Sequence, residues 1–387
     1  MYKHFLSVSS QIAFCSAPIR LDSYNACQFS CGYCYARART GAGRDAKLVG
    51  ADPTSLENRL NRIARGEISS ALDEFLQRRT PIQFGGMSDP LMPIESKSRT
   101  SLKILNILKE TEYPYLLSTK GPMIFESAYV DALKGADVLA RFSFAGCSDK
   151  LRSRIDRGVL KYAEFILAVS KLKEKNIKVG LRLQPLIPGE EQHAVEMLQR
   201  LPSGVVDHVS AEYLKVPVSA DRRFGMTLLE YFGGSVISWY QKNGTLVGNE
   251  YVLNSAYRRK NLALLREICT LKGITFGYAD NDFLLLSDGN GCCSGADLHL
   301  KGAQIFESNT LGIIRKNIRN GRPLDAFEIS DLWVPKHNIA QYLNSKTRLY
   351  SGDELRKEWG KYMEASWVGE WGQYSPNYFL SETYPDF

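Results

Sequence analysis

No hydrophobic run in this 387-residue chain approaches the roughly 18–20 residues that cross a bilayer. The opening stretch, MYKHFLSVSSQIAFCSAPIR, has one apolar patch but no long apolar core and no small-residue cleavage site. Together these absences set the expectation of a cytoplasmic protein with no membrane association. No internal repeat is visible and no tract is of low complexity, which argues against solenoids and propellers. Charged residues make up 24% and hydrophobic ones 44%, an ordinary globular balance that argues against wholesale disorder. The net charge of +7 is too slight to name a partner by itself.

The basic residues cluster at Arg37, Arg39 and Arg44; at Arg152, Arg154 and Arg157; at Arg258, Arg259 and Lys260; and at Arg315, Lys316, Arg319 and Arg322. Sharing one face, they would track a phosphate backbone; scattered, they are solvated helix faces.

Cysteine is unevenly used. Of eight, Cys269 lies in the apolar pattern LALLREICTLKG, as a small core residue does. Three others, Cys27, Cys31 and Cys34, fall within NACQFSCGYCYAR at spacing C-x3-C-x2-C. A reducing cytosol disfavours stable disulfides, and burial has no use for that spacing. Structural zinc takes four ligands, yet no fourth Cys or His is near; the nearest histidine is His4. Three thiolates suit a four-iron cluster with one iron left free. The triplet follows the apolar PIRLDSY and precedes the glycine-bearing TGAGRD, the strand–loop–helix order found at the mouth of an α/β barrel.

Apolar or β-branched runs at 18–24, 81–86, 115–119, 137–144, 177–187 and 205–211 predict strands. Amphipathic stretches such as SRTSLKILNILKE and KYAEFILAVSKLKEKN separate several of them. Strands alternating with helices predict a parallel sheet with right-handed crossovers. The fold class is therefore α/β, six units forming a partial (β/α)6 TIM-type barrel. Residues 1–215 make the barrel core and 216–387 an aromatic-rich, mostly helical extension for substrate recognition. Four of the five tryptophans, Trp333, Trp359, Trp367 and Trp371, lie in its tail. Aromatics beside basic residues stack on bases; the plainer reading, which we prefer, is a C-terminal helix clamped over the barrel.

The cysteine motif, with Tyr33 before its last member, resembles the signature of radical S-adenosylmethionine (radical SAM) enzymes. LDSYNACQFSCGYCYAR and QFGGMSDPLMPIESKSRTSLKILNIL resemble the spore photoproduct lyase-like, or DNA repair photolyase-like, branch. LLSTKG at 116–121 and LRLQPLIPG at 181–189 fall in the matching order, so the resemblance spans residues 15–215. It implies that Cys27, Cys31 and Cys34 bind a [4Fe–4S] cluster whose free iron chelates S-adenosylmethionine. One electron then releases a 5′-deoxyadenosyl radical that takes hydrogen from the substrate. Cofactor contacts are implied at Tyr33, Gly85, Gly86, Ser88, Asp89, Lys120, Ser143 and Arg182. Glycine admits close backbone approach, and a lysine and a hydroxyl suit a carboxylate. Met-Ser-Asp follows the glycines where many such enzymes carry a glutamate, so Ser88 and Asp89 stand in for it. Each of these positions also has a plainer reading as a turn glycine, a loop lysine or a strand serine.

Tyr35 matches a tyrosine that takes part in radical quenching in the branch, or else merely packs. The branch's hydrogen-donating cysteine has no counterpart between Cys34 and Gly85, which puts the lyase reaction itself in question. Remaining thiols are Cys147, near Ser143 in FSFAGCSDK, and Cys292–Cys293 in the glycine loop SDGNGCCSGADLH. The pair is a candidate radical donor, or a ligand for a second metal with Asp297 or His299. The functional expectation is a lyase or modifying enzyme acting on a bulky substrate, nucleic acid first, fed by a flavodoxin- or ferredoxin-type electron donor. The rivals are modification of a peptide or small metabolite, and a metal-bearing binding protein without turnover.

Overall fold

Each apolar run becomes a strand buried on both faces, as parallel strands under helices must be. The computed structural model describes residues 1–38, 47–323, 326–327, 329, 331–339 and 353–370. β1 (Leu6–Val8) pairs antiparallel with β2 (Ile19–Leu21). Then β3 (Ile82–Phe84), β4 (Tyr115–Thr119), β5 (Val138–Gly146), β6 (Lys178–Leu186) and β7 (His208–Tyr213) add in parallel, in that order. β8 (Val216–Pro217), β9 (Gly244–Val247) and β10 (Glu250–Leu253) form a separate three-stranded antiparallel sheet. β11 (Thr275–Tyr278) rejoins the main sheet parallel to β7, making eight strands.

Alternation along β5 sorts its side chains. Phe142 and Phe144 point outward to Phe165 of the helix Tyr162–Glu174, with ring centroids 5.3 and 4.8 Å apart. Leu139, Arg141 and Ser143 point the other way, into the barrel. At the floor, Leu139 and Leu116 meet Ala17, Ala296 and Leu300, so the short helix Ala296–His299 plugs the lower end. The chain beyond residue 215 thus supplies both a strand and the floor of the barrel, and the sheet does not break there. The open edge of β7 needs a hydrogen-bonding partner, and the lower end needs apolar cover.

The C-terminal helix Asp353–Glu370 is held by Trp359, which is fully buried. Its indole N–H donates to the Ser308 carbonyl at 2.6 Å, and its ring meets the edge of Phe306 at 5.7 Å. Trp333 packs on Phe75 under the guanidinium of Arg78. These two tryptophans clamp; the Trp367 side chain and Trp371 lie outside the described residues. Among the described residues no helix is long and apolar enough to cross a membrane. Trp359→Ala should cost about 3–5 kcal/mol, read as a lowered urea midpoint; an unchanged midpoint would show that the helix adds nothing to the fold.

Candidate active site

The three motif cysteines ride the connection from β2 to the helix Pro53–Ala64, at the C-terminal ends of the strands where barrel sites form. Several protein contacts shape this loop. At its root, buried Asp22 pairs with Arg20 at 3.0 Å and accepts the N–H groups of Met87 and Ser88 at 2.7 and 3.1 Å. At its middle, the Gly32 N–H donates to Ile155 and its carbonyl accepts from Gly225, both at 2.7 Å. Tyr24, Phe29, Cys31 and Met92 form a small apolar cluster beneath, with Cys27, Tyr33 and Cys34 against it. Tyr35, half exposed, donates its hydroxyl to the Gly86 carbonyl at 2.6 Å and so ties the loop to the end of β3.

That strand end requires glycine. Gly85 sits at φ +91°, and a Cβ there would lie 2.4 Å from the Ser118 carbonyl oxygen. A Cβ on Gly86 would meet the Arg20 side chain at 2.8 Å. Ser88 and Asp89 behave differently from a glutamate offered to a ligand. The Ser88 hydroxyl donates to the Tyr24 carbonyl at 2.7 Å. Asp89 accepts from the Leu91 N–H, the Lys120 N–H and the Thr119 hydroxyl at 2.9, 2.6 and 2.8 Å. Both are buried and occupied in holding loops together. Burial pushes the Asp89 carboxyl up, against those three hydrogen bonds.

Lys120, one residue past β4, joins the cysteine loop to β5. Its ammonium reaches Asp156 and the Tyr33 hydroxyl at 2.8 Å each, and the Ser143 carbonyl at 3.3 Å. Burial works against that charge, but Asp156 and Cys31 outweigh it and hold the amine above its ordinary range. Asp156, fully buried at its side chain, also accepts the Ala145 N–H at 3.0 Å and the Cys31 thiol at 3.4 Å. Burial raises the Cys31 thiol, with Lys120 opposing, and pushes the Cys27 thiol up to about 11. Both thiols are therefore protonated at neutral pH unless a cation takes the place of the proton.

Deeper inside, Arg182 stands level with Ser143 in the β5–β6 register and donates to Gln184 at 2.6 Å. Gln184 in turn bonds Glu212. Cys147 packs into the main core, its thiol pushed up to about 12 by burial. Cys292 is buried, and the Cys293 carbonyl lies 2.9 Å from the His208 ring. Their suggested metal partners point elsewhere. Asp297 accepts the N–H groups of Asn290 and Gly291 at 2.6 and 3.0 Å, and His299 bonds the Thr275 hydroxyl at 2.7 Å.

Sequence reasoning missed Asp22, Asp156 and Arg141. Only the first, beside the cysteine motif in PIRLDSY, carried a local signal. Several members of the basic clusters are engaged inside the protein rather than presented to a phosphate backbone. Arg258 is buried against Asp280 and Asp282, and Arg152 is buried. Arg315 donates to the carbonyls of Gly291 and Ser287. Arg39 and Arg44 lie outside the described residues.

No protein-family model matches the chain, and no curated protein does. Solved structures do. A spore photoproduct lyase mutant with bound AdoMet and dinucleoside spore photoproduct superposes at TM-score 0.53, with 17% identity, over 68% of this chain and 76% of that one. Spore photoproduct lyase complexed with dinucleoside spore photoproduct superposes at 0.54, with 16% identity, over 71% and 79%. The fold is that of spore photoproduct lyase. It is a partial TIM-type barrel of the radical SAM kind, reached here with little shared sequence.

The Lys120–Asp156 pair offers a direct check. Asp156→Asn leaves a buried ammonium without its carboxylate and should cost about 3 kcal/mol. Lys120→Met combined with it should cost less than the sum of the single changes. Strict additivity in urea unfolding would show that the pair does not hold the loop.

Proposed function

We propose that this chain is a radical SAM enzyme in which Cys27, Cys31 and Cys34 hold a [4Fe–4S] cluster and nucleic acid is the substrate. One observation carries the reading. Three thiols are fixed at the barrel mouth opposite a bare glycine strand end and a half-buried lysine, in a fold shared with spore photoproduct lyase. Among the described residues no group of three or more His, Cys, Asp or Glu could hold a single metal ion. A cluster fits this donor set, because each thiolate of a cubane meets its own iron and the three need not converge on one point.

When bound, the cluster and S-adenosylmethionine supply a 5′-deoxyadenosyl radical by one-electron cleavage of the sulfonium. The chain's own part is positional. Lys120, kept charged by Asp156, presents a cation to the methionine carboxylate, with Ser143 beside it. Gly85 and Gly86 let backbone carbonyls approach the amino group. Tyr33 and Tyr35 wall the loop, Ser88 and Asp89 fix the glycine turn, and Arg182 stands level with Ser143 on the neighbouring strand. Cys147, packed away in the core, is the weakest of the catalytic candidates. Solved structures of the same fold that hold a dinucleoside photoproduct support nucleic acid as the substrate class. A flavodoxin- or ferredoxin-type donor in the cytoplasm would supply the electron.

Anaerobic reconstitution tests the cluster. Cys27→Ala, Cys31→Ala or Cys34→Ala should each abolish the brown absorbance and bring 5′-deoxyadenosine to background, with the circular dichroism of the fold retained. Zinc in the purified protein, or full activity in any of the three variants, would end the reading. The substrate class is tested separately, by affinity for DNA across a salt series. A steep fall with salt is expected, since phosphate contacts release counterions. Indifference to polynucleotide would turn the reading toward a peptide or small metabolite.

A further inference from the structure

Two arginines stand on the inner faces of neighbouring strands, and among the described residues neither makes an ion pair. Arg141 on β5 is in register with Gly180 on β6, and Ser143, two residues on, with Arg182. Side chains two apart along a strand share a face, so Arg182 lies on the side of the sheet that Arg141 and Ser143 take. Gly180 bears this out. A Cβ there would sit 3.0 Å from the Arg141 Cγ, so the Arg141 stem lies close over β6 at that point.

Arg141 is 4% exposed. Its guanidinium donates to the Ser118 hydroxyl at 2.9 Å, and its Nε is buried with no partner. Arg182 gives its Nε hydrogen to Gln184 at 2.6 Å. On β7, Ser210 is in register with Arg182, and Glu212, two residues further, is taken by Gln184 and by Lys215 at 2.7 Å. Asp22, Asp89 and Asp156 are bound into the turn and loop at the mouth. Below Arg141 lies the apolar floor of Leu116 and Leu139. Burial, and then the neighbouring Arg182, lower the Arg141 pKa to about 9, so it is still a cation at neutral pH. A buried cation is stable when an anion faces it, and among the described residues the chain brings none into ion-pair reach.

We propose that Arg141 and Arg182 form an oxyanion subsite inside the barrel, taking a phosphate or carboxylate group of the substrate. A guanidinium is a planar fork that grips such a group through two N–H donors, and a pair of forks neutralises it. Arg141 lies two residues before Ser143, as Ser118 does before Lys120, so it stands about 7 Å below the proposed cofactor level. An anion held there anchors the substrate on the inner side of the cofactor. The subsite stands on the arginines alone; this role in turnover rests on the function proposed above. With nucleic acid as substrate the anion is a backbone phosphate, and with a small metabolite it is a carboxylate or a phosphate monoester.

Calorimetric titration of the full-length protein, with no reductant and no turnover, tests the subsite. The probes are inorganic phosphate, the dinucleotide TpT, its uncharged methylphosphonate analogue, and succinate. TpT is expected to bind about tenfold more tightly than the methylphosphonate, which lacks the charge for a charged hydrogen bond. Arg141→Gln and Arg182→Gln should each weaken TpT about tenfold and leave the methylphosphonate unchanged. Arg141→Lys, which keeps the charge and loses the fork, should fall between. Arg182, at a partly exposed position, keeps the test decisive should the Arg141 variants not fold.

TpT and methylphosphonate bound equally, both glutamine variants behaving like the parent protein, or no probe bound would overturn the subsite. So would S-adenosylmethionine displacing TpT from the reconstituted protein, since the arginines would then serve the cofactor. Phosphate or succinate bound through both arginines without TpT would keep the subsite and turn the proposed substrate from nucleic acid to a small metabolite. TpT bound as expected, with no 5′-deoxyadenosine from the reconstituted protein, would leave the subsite standing and remove the radical chemistry proposed above.

Discussion

An ion pair between the half-buried Lys120 and the fully buried Asp156 ties the cysteine loop to β4 and β5 at the barrel mouth. Through Lys120 it reaches Tyr33 of the cysteine loop and the Ser143 carbonyl of β5; through Asp156 it reaches Cys31 and the Ala145 N–H. A charge buried this deeply is tolerated only when paired and hydrogen-bonded. The rest of the mouth therefore has to close around the pair. The cysteine loop, the end of β4 and the upper half of β5 have one relative position that satisfies it.

The glycine turn after β3 obeys the same constraint from the other side. Asp89 accepts the Lys120 N–H, and Asp22 accepts the two N–H groups that follow Gly86. Two carboxylates thus hold the turn on which Tyr35 rests. The polar atoms of Ser88 and Asp89 are already used in holding this turn.

Below the mouth the barrel is layered by the strand period. An apolar floor of Ala17, Leu116, Leu139, Ala296 and Leu300 lies lowest. Two residues above Leu116 and Leu139 come Ser118 and Arg141, joined at 2.9 Å, and two further on come Lys120 and Ser143. Ala296 and Leu300 of that floor come from beyond residue 215. The C-terminal half therefore completes the barrel interior as well as covering it, and a split into barrel and appendage describes the chain order better than the structure.

The strands were legible because each is a short apolar run between polar helices, and local periodicity is enough to mark such runs. The cysteine triplet was legible because its ligand spacing is local too. The glycines of β3 could be read as a close approach, since only one residue type permits it. Asp156 and Arg141 left no such trace. Their partners lie tens to hundreds of residues away, and a single carboxylate, guanidinium or thiol carries no periodicity. Sequence by itself determined the order of strands and the thiols offered at the mouth. Tertiary structure alone decided which charges are buried together, because desolvation and pairing depend on distance in space and not on distance along the chain.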